Sequence, residues 1–260
     1  MRFLATALMA IALLAGSLEF EVATIKPAAG TGGVRTVCHG IDSQFAPEDP
    51  GSRVPLGRCV GSSGRLGQLM SFAYGVDRVD GGPDWATTGE RFDIEAKAED
   101  PANTTEDQLK IMFQNLLAQR FKLKFHRETR ELVGFVLTVA KGGPTLRDSA
   151  SDTKRADYGV EWTIPTVMNR PPRRDELGAR LTLEAKRFSI SDFIREIRKD
   201  AGGPILDETG LTGLYDLKLT WDAGVSLAGP FNDQLGLHLE PRKVPVEFLI
   251  IDSAERPLGN

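Results

Sequence analysis

The chain has 260 residues, of which 41% are hydrophobic and 26% are charged. This composition is typical of a folded globular protein and excludes a disordered one. Its 32 basic and 36 acidic residues give a formal net charge of −4. The overall field is too weak to recruit nucleic acid or an anionic membrane, so we expect neither partner. The length is compatible with one large domain or two small ones.

The N-terminus has the pattern of a secretory signal peptide. Arg2 supplies a positive charge, residues 3–15 form an uncharged apolar run, and Ala15-Gly16-Ser17 provides the small residues that signal peptidase requires. We predict cleavage after Ser17 and an exported protein, either periplasmic or extracellular. The run is shorter than the ~20 residues of a spanning helix, and retention as an anchor stays open. Ser17 stands where a lipoprotein needs cysteine, so a lipid anchor is excluded there.

Two cysteines, Cys38 and Cys59, are the only thiol groups in the chain. In an exported protein they lie in an oxidising compartment, which favours a disulfide between them. Two free thiols, or a partial metal site with His39, are the alternatives. Zinc is disfavoured because the chain has no C-x-x-C pair and the other histidines are distant in sequence.

Threonine caps and periodic apolar residues predict a helix followed by a β-hairpin. Thr104 and Thr105 are good N-caps for the helix. Apolar residues then recur at helical spacing at Leu109, Met112, Phe113, Leu116, Leu117 and Phe121. Residues 122–126 and 132–139 alternate as strands, and the charged residues 127–131 between them are predicted to form the hairpin turn.

A second helix is predicted to begin at Ser189, because Asp192 follows three residues later. Gly202-Gly203-Pro204 ends this helix, and residues 214–221 alternate as a strand. An earlier stretch has the same order. It consists of a short helix from Leu66 to Ala73, then Gly81-Gly82-Pro83, then a strand over residues 91–96.

These correspondences predict an internal repeat. The two Gly-Gly-Pro turns match each other, and five apolar positions between 123 and 137 align without gaps to positions 237–251. The polar, proline-containing residues 148–180 separate the halves. We therefore predict an α+β fold of two pseudo-repeated halves, each of short helices packed on small, mostly antiparallel sheets. The predicted divisions are a signal peptide (1–17), an N-terminal half (18–147), a linker or long loop (148–180) and a C-terminal half (181–260).

An ordered series of motifs resembles a known family. The series includes Phe20-Glu21-Val22-Ala23-Thr24-Ile25-Lys26-Pro27, Gly81-Gly82-Pro83-Asp84-Trp85, His126-Arg127-Glu128-Thr129-Arg130-Glu131, Asp207-Glu208-Thr209-Gly210 and Glu240-Pro241-Arg242-Lys243. Through these motifs the chain is similar to a soil-associated domain family of unknown function that is expanded in acidobacteria. The resemblance covers nearly the whole mature chain.

The resemblance implies export but supplies no catalytic residues, because the family has no established activity. Some related domains are fused behind membrane regulators similar to beta-lactam-sensing metallopeptidases, which implies binding or sensing outside the membrane. The short helix-strand units are also similar to the small N-terminal domains of secretins and TonB-dependent receptors. The chain departs from the family at Ala228-Gly229-Pro230, so we expect the last helix to be short.

No catalytic, cofactor or metal site is assigned from the sequence. Residues 151–154 match the S-x-x-K pattern of serine acyl-enzymes, but the S-D-N and K-T-G elements that accompany it are missing. His126 could act in acid-base chemistry, yet such a histidine more often closes a strand end by hydrogen bonding or charge pairing. Asp93, Glu95 and Asp216 alternate with apolar residues, as on a half-solvated sheet face.

Tyr74 and Trp85 are the aromatic residues that would contribute to binding if exposed, although packing in the core is the commoner role. Together with His126 they form the predicted binding surface. Our leading hypothesis is a non-enzymatic envelope module that binds an envelope protein or cell-wall component through sheet edges and Gly-Pro turns. An envelope hydrolase is the alternative, and it would require His126, Asp93 or Glu128 to meet in a deep pocket. A purely structural envelope protein is a third possibility.

Overall fold

The structure, a computed structural model, describes residues 18–30, 33–43, 54–149, 159–163 and 180–257. The predicted signal peptide, the S-x-x-K pattern at 151–154 and most of the predicted linker lie outside the described residues. Of those described, none belongs to a helix long and apolar enough to span a membrane.

Short strands and helices alternate along the chain. The strands are β1 (Val22–Pro27), β2 (Arg35–His39), β3 (Arg58–Gly64), β4 (Arg78–Gly81), β5 (Phe92–Lys97), β6 (Lys124–Val139), β7 (Arg147–Asp148), β8 (Gly159–Thr163), β9 (Arg180–Phe188), β10 (Ile205–Asp207), β11 (Tyr215–Asp222) and β12 (Leu237–Ser253). The helices are α1 (Leu66–Tyr74), α2 (Asp84–Thr87), α3 (Glu106–Arg120), α4 (Ile190–Ala201) and α5 (Ala228–Pro230), and a π-helical turn (Phe231–Leu235) follows α5.

The N-terminal half is an antiparallel sheet in the order β1-β5-β3-β2, covered by α1 and α3. Leu69 of α1, Phe113 of α3 and Ile94 of β5 are fully buried in its core. At about 25 cal/mol per Å² of apolar surface, each such side chain contributes roughly 2 kcal/mol to folding.

The C-terminal half is built on a second antiparallel sheet in the order β7-β11-β9-β8. Phe193 and Ile197 of α4 pack on Leu183 and Leu219 of this sheet, together with Phe231 from the π-helical turn. Strand β8 lies within the segment that the sequence predicted as a linker or long loop, so part of that segment belongs to the sheet. The α+β class with mostly antiparallel sheets is confirmed.

A third sheet, in the order β10-β6-β12-β4, joins the halves. Its centre is a ribbon of the two longest strands, β6 and β12, which pair antiparallel without a bulge from Phe125↔Ile251 to Val139↔Leu237. The short strands β10 and β4 pair in parallel with the two outer sides of this ribbon. Each half therefore supplies one of the two ribbon strands.

The ribbon contributes to both cores. Side chains alternate between the two faces of a strand. In this register odd-numbered residues of β6 pair with odd-numbered residues of β12. The odd-numbered side chains of both strands therefore lie on one face of the ribbon. At one end of that face the N-terminal core contains Phe125, Leu249 and Ile251, and at the other end the C-terminal core contains Leu137, Leu237 and Leu239. The opposite face carries a smaller buried cluster of Val136, Val244, Val246 and Phe248.

Local capping signals predicted two helices correctly. The Thr105 hydroxyl accepts a hydrogen bond from the backbone N–H of Gln108, and the Gln108 side chain accepts one in return from the Thr105 N–H. The Ser189 hydroxyl accepts from the N–H of Asp192, and Gly202 ends α4 in the left-handed conformation. Ala228-Gly229-Pro230, which was predicted to interrupt the last helix, itself forms a three-residue helix that continues into the π-helical turn Phe231–Leu235.

The predicted hairpin over residues 122–139 is wrong. Residues 127–131 do not turn but form part of the single 16-residue strand β6. Their partner is β12, more than a hundred residues further along the chain. A charged segment without glycine, proline or asparagine remains extended here because a distant strand pairs with it and solvent reaches its side chains.

The two Gly-Gly-Pro turns occupy different places in the fold. Gly81 ends β4 and Pro83 precedes α2, whereas Gly202 ends α4 and Pro204 precedes β10. The turns are therefore not structural counterparts, and the internal repeat stays a prediction.

Cys38 and Cys59 form the predicted disulfide, directly across the β2–β3 pair. Both half-cystines are buried in the N-terminal core. The bond joins the two strands at the edge of their sheet and closes a loop with a sequence separation of 21.

Replacing both cysteines with alanine is expected to lower the free energy of unfolding by about 3 kcal/mol, because the open chain gains conformational entropy when it unfolds. Urea unfolding of the oxidised protein and of the Cys38→Ala/Cys59→Ala variant measures the difference. A reducing agent should destabilise the parent protein and leave the variant unchanged. Equal sensitivity of both proteins to the reducing agent would contradict the assignment.

Candidate interaction surface

Tyr74 and Trp85 are both partly buried and pack on the N-terminal core. The Tyr74 ring meets Phe125 of the ribbon edge-on, with centroids 4.9 Å apart. The Trp85 ring stacks on Phe121 at 6.2 Å, and the Arg256 guanidinium lies 5.3 Å from its centroid. Both aromatic residues therefore pack against the core while part of each side chain stays exposed, and a role in binding stays a prediction.

His126 is exposed on β6. Its Nδ1 lies 2.9 Å from the Asp252 Oδ1 atom, and both side chains are about half exposed. Glu128 is engaged by Arg130 through both of its carboxylate oxygens, at 3.0 and 2.9 Å. The hydrogen bond of His126 and the ion pair of Glu128 lie beside each other on the surface of the ribbon.

The three residues required by the hydrolase alternative do not meet. Asp93 lies in the N-terminal sheet, where its carboxylate accepts a hydrogen bond from the backbone N–H of Ser63 at 2.8 Å. His126 and Glu128 lie on the ribbon with the partners just described. In the described parts of the chain, no three histidine, cysteine or acidic residues are grouped so that they could hold a metal ion.

The junction between the halves contains a shallow cavity of about 200 Å³. Residues 75–77 after α1, residues 204–206 at β10 and residues 244–247 of β12 line it. Asp77 and Arg198 form an ion pair between the N-terminal half and α4. The cavity lies where the two halves meet on the ribbon, and its lining includes the acidic residues Asp77 and Glu247.

The outer side of β6 carries backbone polar groups that point away from β12. The Phe135 N–H donates to the Pro204 carbonyl and the Leu137 carbonyl accepts from the Glu208 N–H, so both residues direct backbone groups away from β12. On the other side, the Ala140 N–H bonds to the Gly236 carbonyl across the ribbon. Backbone polar groups alternate between the two sides of a strand, so the odd-numbered residues of β6 point outward.

β10 satisfies these outward groups only opposite residues 135–137. Within the described part of the chain, no strand pairs with the outer side of residues 125–131, which we call the open edge of β6. The backbone N–H and C=O groups of Arg127, Thr129 and Glu131 point to this side, and none of them has a backbone partner there among the described residues. Just beyond this segment, the apolar side chain of Val133 is 79% exposed.

The corresponding side of β12 is protected by proline. β4 pairs with β12 only at residues 248–251, which leaves residues 237–247 without a described neighbour on that side. Pro241 and Pro245 both occupy odd, outward positions of this stretch. Proline has no N–H to donate and is a common means of blocking an exposed strand edge. Of the two long edges, that of β6 is the one free to accept a further strand.

Sequence reasoning placed residues 127–131 in a turn and therefore missed this surface. Its signal was present in the pattern Arg127-Glu128-Thr129-Arg130-Glu131, where charge alternates without a turn-forming residue. Alternating charge is typical of an exposed strand whose two faces are both solvated. The pairing with β12, which extends this segment as a strand, has no local signature.

The fold and this surface define an α+β protein of two halves joined by a shared ribbon that has one open edge. A family model described as "Protein of unknown function (DUF3738)" matches residues 67–254, which include α1, both ribbon strands and most of the two halves. The chain belongs to this family. Comparisons with curated proteins and with solved structures find no match.

Replacing Tyr74 with phenylalanine is expected to reduce the loss of stability at alkaline pH. Burial raises the pKa of the Tyr74 phenol above its ordinary value of 10.0, while the charge of Arg127 opposes this in part. The folded protein then holds the proton more tightly than the unfolded chain does. The associated stability is complete below the unfolded pKa and is lost as the pH rises through the folded pKa.

Urea unfolding of the parent protein and the Tyr74→Phe variant, measured between about pH 8 and pH 11, tests this expectation. The parent protein should lose more stability than the variant above pH 10. If both proteins lose the same amount across that range, the buried phenol does not carry the effect.

Proposed function

We propose that the chain is an exported, non-catalytic binding or sensing module of the bacterial cell envelope, and that it binds protein by strand addition at the open edge of β6. The open edge is the observation that carries the proposal. An extended segment placed beside it would receive backbone hydrogen bonds from Arg127, Thr129 and Glu131, the mode of recognition known as β-augmentation.

The surroundings of the open edge support a protein ligand. Its side chains carry both signs of charge on a solvated surface, with Arg127 paired to Glu247 and Arg130 paired to Glu128 and Asp80. Val133 adds an exposed apolar contact next to it. Backbone bonds would supply affinity, and the alternating side chains would select the bound sequence.

Export is the second part of the proposal. The N-terminal pattern supports it, and the Cys38–Cys59 disulfide fits an oxidising compartment. The acidobacterial source and the similarity to secretin and TonB-dependent receptor domains stay predictions.

The test compares the exported protein with two proline variants, each immobilised and exposed to envelope extract. Thr129→Pro removes an outward N–H from the open edge without removing a hydrogen bond to β12. Lys243→Pro is the matched control, because position 243 is also an odd, outward position of a ribbon strand, but on the β12 side of the ribbon. Thermal unfolding establishes that all three proteins are folded.

The parent protein and Lys243→Pro should retain the same proteins in a saturable manner, and Thr129→Pro should retain about ten-fold less, because a lost edge bond and a distorted edge weaken pairing. Equal retention by all three would show that binding does not use the open edge. A lack of saturable retention by the parent protein would overturn the proposal that the open edge binds a stable envelope partner.

A further inference from the structure

Resting on the proposed function, the geometry points to a specific occupant of the open edge, and we propose that it is β6 of a second copy of this chain. The two β6 strands would pair antiparallel about a two-fold axis through Thr129. The ribbons of both copies would then form one continuous sheet across the interface. A two-fold contact of this kind is closed, because each copy uses the same edge.

The charges of residues 127–131 are self-complementary in this register. Antiparallel pairing about Thr129 places Arg127 opposite Glu131 of the second copy and Glu128 opposite its Arg130. Each of these contacts occurs twice because of the two-fold axis. Opposite charges directly across neighbouring strands stabilise the pair, whereas like charges destabilise it.

Neighbouring registers are disfavoured by the same residues. If the two-fold axis moves by one residue along the strand, it passes through Glu128 or through Arg130. Glu128 then lies opposite Glu128 of the second copy, or Arg130 lies opposite its Arg130. The sequence therefore favours the register centred on Thr129, because each neighbouring register would bring two like charges together. Since exposed ion pairs contribute little energy individually, their role here is to select the register and the partner.

The backbone groups that point outward from β6 also fit this register. In an antiparallel pair, the residues that exchange hydrogen bonds must both direct their backbone groups toward the partner. Pairing about Thr129 joins Thr129 with Thr129 and Arg127 with Glu131, all of which are odd-numbered and outward. About six backbone hydrogen bonds would form across the interface.

Three of the four charged groups already have an intrachain partner, because Arg127 contacts Glu247 and Arg130 contacts Glu128. Pairing would add a second partner to each of them. Among the described residues, no ion pair or hydrogen bond involves the exposed Glu131 carboxylate, which can therefore meet Arg127 of the second copy. Glu128 and Arg130 already contact each other on one face. Pairing would bring two such contacts together as an alternating group of four charges. β10 pairs with residues 135–137, so in this register β10 of the second copy would lie beside residues 121–123, outside the paired segment 127–131.

The first test measures mass by analytical ultracentrifugation of the exported protein over a concentration series at low and high salt. The parent protein should approach twice the monomer mass. Glu131→Arg should weaken association by about ten-fold, because it turns two attractive contacts into repulsive ones. The exchanged pair Arg127→Glu/Glu131→Arg restores opposite charges and should recover association.

The second test uses a single cysteine on the proposed axis. Thr129→Cys places two thiols on residues whose Cα atoms are about 5.5 Å apart in a hydrogen-bonded pair, within the range of a disulfide. Both native cysteines are already bonded to each other. Under mild oxidation Thr129→Cys should crosslink as a dimer, and the matched Lys243→Cys variant should remain a monomer.

The outcomes separate this inference from the proposed function. A monomer at all concentrations, or a dimer that Glu131→Arg does not weaken, overturns pairing through β6. If the protein is monomeric and Thr129→Pro still abolishes retention of an envelope protein, the edge binds another chain and the proposed function stands. If neither association nor edge-dependent retention is found, both the dimer and the proposed binding function are overturned.

Discussion

The antiparallel pairing of β6 with β12 is the interaction on which the rest of the structure depends. It joins residues that are about a hundred or more positions apart over an unbroken register from Phe125↔Ile251 to Val139↔Leu237. One face of the ribbon closes the N-terminal core at one end and the C-terminal core at the other. A disruption of this pairing would therefore expose apolar surface in both halves at once, and we expect the two halves to unfold together.

The ribbon's length creates the open surface. Strands of 16 and 17 residues extend well beyond the short strands β10 and β4 that flank them. Each therefore has an outer side along which no further strand pairs among the residues that the structure describes. The two sides differ in chemistry. Pro241 and Pro245 remove outward donors from β12, whereas β6 keeps its donors at Arg127, Thr129 and Glu131. An exposed edge invites pairing with another chain, and here the free edge is also the one with a self-complementary charge pattern.

The sequence predicted what is encoded locally. The caps at Thr105 and Ser189, the glycine stop at Gly202, the α+β class and the Cys38–Cys59 bond all depend on short-range patterns or on a pair of unique residues. The ribbon was missed because its two strands are far apart in sequence and no local pattern indicates that they pair. Taken alone, the charged segment 127–131 is compatible with a turn. Tyr74 and Trp85 illustrate a second limit, because an aromatic residue beside a turn can be packed or exposed, and only its neighbours decide which.

Residue-resolved amide hydrogen exchange of the dilute, monomeric protein tests the central claim most directly. The ribbon with one open edge predicts alternating protection along β6. The N–H groups of His126, Glu128 and Arg130, which face β12, should exchange slowly, and those of Arg127, Thr129 and Glu131 should exchange rapidly. Uniformly slow exchange would show that the outer side is already covered, and uniformly fast exchange would show that β6 and β12 do not pair here. Either result would contradict the account.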